Sequence, residues 1–177
     1  MNGVFKLSAE RSALVVVDVQ EAFRRYDCFS AVATSARRLL TAARLLELPR
    51  VVTEQYPKGL GPTVAEVGLE GEVPLAKRAF SAVRAEGFDL GGRDQAIVCG
   101  LETHVCVLQT VLDLLAAGVE VYVVGDGVGS RHRVDHELGM RRLEREGARP
   151  ASVEMAIFEL LGGAEHPQFK ALQELIK

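Results

Sequence analysis

The chain alternates short, continuously apolar runs with longer stretches whose apolar positions recur at helical spacing. Ala13-Leu14-Val15-Val16-Val17 is apolar at every position and ends in Asp18, which predicts a strand covered on both faces. Residues 30–48 are rich in Ala, Leu and Arg and read as a helix stopped by Pro49. Further strands are predicted at 50–53, at 75–77 beyond a Gly/Pro-rich loop, and at 96–99, where Gly100 ends the run. Residues 103–117 read as a helix closed by Gly118, and 119–124 as a strand ending at Gly125-Asp126. A charged helix follows at 133–146 and stops at Gly147. A short strand at 151–153 precedes two helices around 155–161 and 168–176.

Strands alternating with helices imply a parallel sheet with helices on both faces. No repeat, linker or low-complexity tract interrupts the 177 residues, so one domain, 1–177, is expected. In such sheets ligands bind beyond the carboxyl ends of the strands. The polar residues at those ends are Asp18, Thr53-Glu54-Gln55, Lys77, the stretch from Glu102 to Cys106, and Asp126.

Composition narrows the setting more than the chemistry. With 48% hydrophobic and 25% charged residues, the chain matches an ordinary globular protein. A net charge of −3 offers no electrostatic footprint for nucleic acid or an anionic membrane, and neither is expected as a partner. No apolar run approaches a bilayer span, and residues 1–11 lack the layout of a secretory signal. Three cysteines without framework spacing point to reduced thiols, hence to a cytoplasmic setting.

Cys106 falls one turn into the helix that opens past Gly100. The positive end of a helix favours a thiolate, and its N–H groups can hold an oxyanion. Cys106 also shares the helix's one polar strip with Gln109, Thr110 and Asp113. Against this stands the common use of free cysteine as a small buried apolar side chain, which position alone favours. Cys99, inside an apolar strand, reads as packing, and nothing near Cys28 would activate it. Asp18 either caps a turn or faces the crevice, where it could accept a proton. Lys77 is either a solvated lysine or a buried cation beside a thiolate, whose pKa it would depress. His132 and His136 are four apart, but the zincin glutamate is missing and arginines flank them, so a solvated helix start is expected. Gly125-Asp126-Gly127-Val128-Gly129 matches no nucleotide-binding glycine pattern and reads as a turn, with Asp126 structural.

Taken together, Asp18-Val19-Gln20, Lys77 with Phe80-Ser81, and Gly100-Leu101-Glu102-Thr103-His104-Val105-Cys106-Val107 resemble, in order, the motifs of the isochorismatase-like cysteine hydrolases. Asp113, Gly118, Asp126 and Ser130-Arg131 extend the resemblance over almost the whole chain. The stretch Thr53-Glu54-Gln55-Tyr56-Pro57-Lys58-Gly59-Leu60-Gly61-Pro62-Thr63, with His166-Pro167-Gln168-Phe169-Lys170, is similar to the isochorismatase domain-containing subgroup. The resemblance implies a three-layer α-β-α Rossmann-like fold with a six-stranded parallel sheet. It implies a nucleophile at Cys106, a proton shuttle at Asp18 and a thiolate-stabilising cation at Lys77. It further implies a cis peptide at Leu101–Glu102 that aims the Glu102 N–H at an oxyanion, and a pocket lined by Gln20, Phe23, Gln55, Phe80 and His104. A homo-oligomer is expected from it, as it is from apolar helix faces around Phe158-Glu159-Leu160-Leu161.

Departures from the pattern shape the expected chemistry. Metal-dependent nicotinamidases carry Asp-x-His after the second strand, where this chain has Gln55-Tyr56-Pro57, so no metal and no other cofactor is expected. True isochorismatases lack the cysteine, so Cys106 points to carbonyl attack and hydrolysis of a C–N bond in a small amide or carbamoyl compound. The alternatives are vinyl-ether hydrolysis led by Asp18, and a non-catalytic interaction protein that keeps the fold.

Overall fold

In the computed structural model, which describes residues 5–177, six strands form one sheet in the order β3-β2-β1-β4-β5-β6, every pair parallel. In chain order the elements are β1 (Ser12–Val17), α1 (Phe29–Leu45), β2 (Arg50–Gln55), the single turn α2 (Pro57–Leu60), β3 (Leu75–Lys77) and β4 (Gln95–Leu101). They continue with α3 (Leu108–Ala116), β5 (Glu120–Gly129), α4 (Arg133–Arg145), β6 (Arg149–Ala151), α5 (Val153–Leu161) and α6 (Phe169–Glu174). The three-layer expectation holds. The N-terminal signal reading falls partly on residues 1–4, outside the described ones, and no described helix is long and apolar enough to cross a membrane.

The strand pleat explains why β1 and β4 are apolar throughout. Leu14 and Val16 join Ile97, Cys99 and Leu101 in the core under α1, α5 and α6. Val15 and Val17 join Ala96 and Val98 in a second core under α3 and α4. Cys99 is thus packing, as its strand position predicts. Leu160 and Leu161 are also buried in the first core, which corrects the expectation of an open face there; Met155 and Phe158 are the exposed apolar positions of α5.

β4 runs through Gly100 to Leu101 and β6 lies at Arg149–Ala151, two residues earlier than expected, and two further elements depart more deeply from the sequence pattern. β5 runs on to Gly129 because its register with β4 jumps, from Val98 opposite Val123 to Gly100 opposite Val128. The bulged residues are tied down by Asp126, whose carboxylate accepts the Val153 N–H at 2.9 Å and whose carbonyl accepts the Ser35 hydroxyl at 2.8 Å. The helix predicted from 103 opens instead with a π turn, Thr103–Val107. Its signature is the Glu102 carbonyl, which accepts N–H groups from both Val105 (3.1 Å) and Val107 (3.2 Å).

The chain reverses its winding between β1 and β4, and there the two backbones nearly touch. Gly100 has φ +123°, and a Cβ on it would lie 2.0 Å from the Val17 carbonyl oxygen. No side chain fits. Gly118, by contrast, has φ +82° with nothing within 4 Å of a Cβ. Gly118→Ala is therefore expected to cost about 1–2 kcal/mol, the left-handed strain alone. Gly100→Ala adds backbone overlap, and urea unfolding should show a loss well beyond that, above about 3 kcal/mol or outright failure to fold. Equal losses at the two positions would contradict the close approach.

Candidate active site

β1 leaves the sheet through Asp18, held at φ +51°, in the left-handed region that non-glycine residues enter at a cost of about 1–3 kcal/mol. This turn brings the carboxylate across the top of β2. The Thr53 hydroxyl donates to Oδ1 at 2.7 Å, and Lys77 Nζ donates to Oδ2 at 2.7 Å; the Asp18 and Lys77 side chains are 0% exposed. Lys77 comes from the edge strand β3. Its ammonium also donates to Gln55 Oε1 at 2.7 Å and to the Phe80 carbonyl at 2.8 Å, with the Ala79 carbonyl at 3.4 Å. A buried ion pair is tolerable only when hydrogen bonds satisfy what the pair leaves over, and Thr53, Gln55 and Phe80 do so here.

The third member of the cluster is Cys106, 7% exposed and held in the π turn. Burial pushes its thiol up to about 12, and the Asp18 charge adds to the rise, while Lys77 pulls the other way. Lys77 thus acts in the expected direction, but the net shift is upward and not the depression expected from Lys77 and the helix end. In so buried a site, desolvation of the thiolate outweighs one cation whose charge Asp18 already balances. The resting cysteine is a neutral thiol beside an ion pair.

The remaining predicted residues divide by what their polar atoms already hold. Leu101–Glu102 is a cis peptide. The Glu102 side chain turns away to accept the Arg131 N–H at 2.9 Å, with Arg131 Nε at 3.7 Å. Gln20 is fully buried and clamps the chain, donating to the Gln55 and Gly61 carbonyls (3.0 and 2.7 Å) and accepting the Gln55 N–H at 2.8 Å. That corrects its placement in the pocket lining. Gln55 is likewise engaged, with Lys77 through Oε1 and the Arg78 carbonyl through Nε2 (2.8 Å). Phe80 is 49% exposed, Phe23 stacks on Tyr26 with centroids 5.4 Å apart, and His104 bonds Ser130 Oγ through Nδ1 at 2.9 Å. Thr53 had only its place at a strand end to mark it, and no pattern in the sequence assigned it to Asp18.

Clefts border these residues. One of about 330 Å³ contains Ser130 and Arg131, the partners of His104 and Glu102. Another, of about 250 Å³, contains Phe80 and Gln109. Cys28 lies on the first cleft, and burial raises its thiol as well. His136, rather than being solvated, is half-buried with Nδ1 2.9 Å from Thr103 Oγ1, and burial lowers its pKa. Among the described residues no group of three or more His, Cys, Asp or Glu is arranged to hold a metal.

Comparison with known proteins adds a lineage to this geometry. The isochorismatase domain model matches residues 12–155. Isochorismatase domain-containing protein 2 of Bos taurus is 47% identical over 169 residues, which cover 94% of this chain and 83% of that protein. The Danio rerio protein of the same name is 41% identical, covering 99% of this chain and 92% of its own. Among solved structures, one described as the MAR1 ribonuclease of Caenorhabditis elegans superposes with a TM-score of 0.90 at 40% identity, covering 97% of this chain and 92% of that one. The parallel sheet and these matches across its length make the chain a member of the isochorismatase-like hydrolase family.

Proposed function

We propose that the chain is a cysteine hydrolase acting on the C–N bond of a small amide or carbamoyl compound, with Cys106 as nucleophile, Asp18 as proton shuttle and Lys77 as the fixed cation. The observation that carries this reading is the Cys106 thiol lying against the buried Asp18–Lys77 pair. Because the thiol is neutral at rest, its proton leaves during attack rather than before it. Sulfur bonds to the substrate carbonyl carbon while the proton passes to the Asp18 carboxylate. Collapse of the tetrahedral adduct breaks the C–N bond, and Asp18 returns the proton to the departing nitrogen. Water then adds to the thioester, giving a proton to Asp18, and the C–S bond breaks as that proton returns to sulfur. Lys77 offsets the negative charge passing between sulfur and carboxylate, by charge first, since its protons already point at Asp18, Gln55 and Phe80. The N–H groups of Glu102 and Cys106 are the donors we assign to the oxyanion. Phe80, Phe23 and His104 present surface for the rest of a small substrate.

The direct test is a panel of small amides and carbamoyl compounds, scored by turnover and by the mass of an acyl adduct. Cys106→Ala and Cys106→Ser are expected to abolish both. Since the C. elegans relative is described as a ribonuclease, single-stranded RNA belongs in the panel. Turnover of a vinyl ether or of RNA that survives Cys106→Ala would replace the acyl-enzyme reading. A panel yielding neither turnover nor adduct would favour the non-catalytic one.

The neutral resting thiol gives a second test, independent of substrate. Alkylation requires thiolate, so the Cys106 rate should climb about tenfold per pH unit and show no plateau below pH 9. Asp18→Asn removes a charge that raises the thiol pKa and should speed alkylation at a given pH. Lys77→Met removes the charge that lowers it and should slow alkylation. Rates that move in the same direction in both variants would remove the pair from the mechanism. The comparison is made below the unfolding temperature of the weaker variant, because breaking a buried pair costs about 3–5 kcal/mol.

Self-association is the remaining element of the proposal. Val134 and Leu138, one turn apart on α4, are 60% and 54% exposed, and Met155 on α5 is 51% exposed. Such positions fit a contact between copies. Light scattering should give at least twice the chain mass of 19.2 kDa; a mass of one chain at micromolar concentration would refute it.

A further inference from the structure

The polar strip of α3 is not explained by Cys106 alone. Thr110, one turn further on, is fully buried, and its hydroxyl makes two bonds of different kinds. It donates to the carbonyl of Cys106 at 2.7 Å, a local bond common for helical threonine. It also accepts the N–H of Ala82 at 2.8 Å, from a segment 28 residues away in sequence. That segment is the short turn Ala82–Arg84, and its lead-in carries the Ala79 and Phe80 carbonyls that hold Lys77 Nζ. A second tie lies one turn beyond, where Arg84 Nε donates to Asp113 at 3.0 Å. The Ala82 side chain packs, with no exposure, in the same core cluster as Cys106.

We propose that Thr110 is a positioning residue: its hydroxyl joins the backbone of the nucleophile to the loop that fixes the lysine, and so keeps the packing around the Cys106 side chain closed. The inference rests on the assignment of Cys106 and Lys77 above. Its physical core is that the Ala82 N–H is buried and has Thr110 as acceptor. Without that acceptor the group is left unsatisfied, a state the loop relieves by moving to let water in. Water admitted there reaches the face of the core that holds the Cys106 sulfur, and not the opposite face of the sheet, where Cys99 lies.

The two cysteines therefore provide a test that separates a local clamp from general stability. Thr110→Val removes both hydrogen bonds with little change of shape, and Thr110→Ser restores the hydroxyl. Iodoacetamide labelling at pH 8, followed by peptide mass mapping, reads Cys106 and Cys99 in the same molecule. The expected result is a Cys106 rate at least fivefold above wild type in Thr110→Val, a Cys99 rate unchanged, and wild-type behaviour in Thr110→Ser. If both rates rise together the hydroxyl is merely structural, and if neither changes it clamps nothing; either result overturns the proposal, as does a serine variant that behaves like the valine one. Should Thr110→Val fail to fold, Thr110→Ala, which adds no bulk, is read in its place against the same criteria. Labelling does not depend on turnover. Activity surviving Cys106→Ala would thus refute the catalytic assignment without touching this result, and the ratio of the two labelling rates would refute the clamp without touching that assignment.

Discussion

The bond between Lys77 and Asp18, 2.7 Å long and shut away from solvent, dictates what may surround it. Two charges taken out of water repay their desolvation only if every leftover lone pair and proton is met. That requirement explains a polar residue at the end of each of three adjacent strands: Asp18 after β1, Thr53 and Gln55 in β2, Lys77 in β3. It also explains why Gln20 is turned inward to hold the Gln55 backbone, and why the chain after β3 curls so that the Phe80 carbonyl faces back toward Nζ. Remove the pair and these residues would have no reason to be polar.

Cys106 meets this arrangement from the other side of the winding reversal. Gly100 lets β4 lie against β1, the cis peptide Leu101–Glu102 follows at once, and the π turn sets the cysteine beside the carboxylate. The Asp18–Lys77 pair leaves little net charge to stabilise a thiolate, which is why burial governs the thiol. A cysteine placed in this way is shielded by burial, in contrast to an ionised sulfur permanently exposed to oxidants.

Much of this was legible in the sequence because it follows from periodicity and from strand ends. The continuous apolar runs at β1 and β4 identified the central strands, and the polar residues closing the runs formed a short list that includes Asp18, Lys77 and Cys106. What periodicity does not carry is which polar atoms face which. Gln20 and Phe80 both looked like pocket lining, yet only Phe80 borders a cleft, whereas Gln20 is a fully buried strut. The extension of β5 was hidden because Gly125-Asp126-Gly127 has the composition of a turn. A register jump against β4 and bonds to Ser35 and Val153 let it bulge without leaving the sheet. The sign of the Cys106 shift was missed for a similar reason. A helix end and a nearby lysine are visible in the chain, whereas their burial is a property of the packed molecule.

The shortness of β3 has a consequence for the sheet as a whole. Three residues paired only with β2 would ordinarily fray, and an open β2 edge would then offer its backbone to any other chain. Here fraying drags an ammonium out of the interior and abandons a carboxylate behind it, so the penalty for opening is set by electrostatics and not by three residues of ladder. The lysine acts as a rivet at the margin of the sheet. Edge protection and the buried pair thereby share one residue, and the chain cannot relax its guard against edge-to-edge aggregation without dismantling the cluster around Asp18.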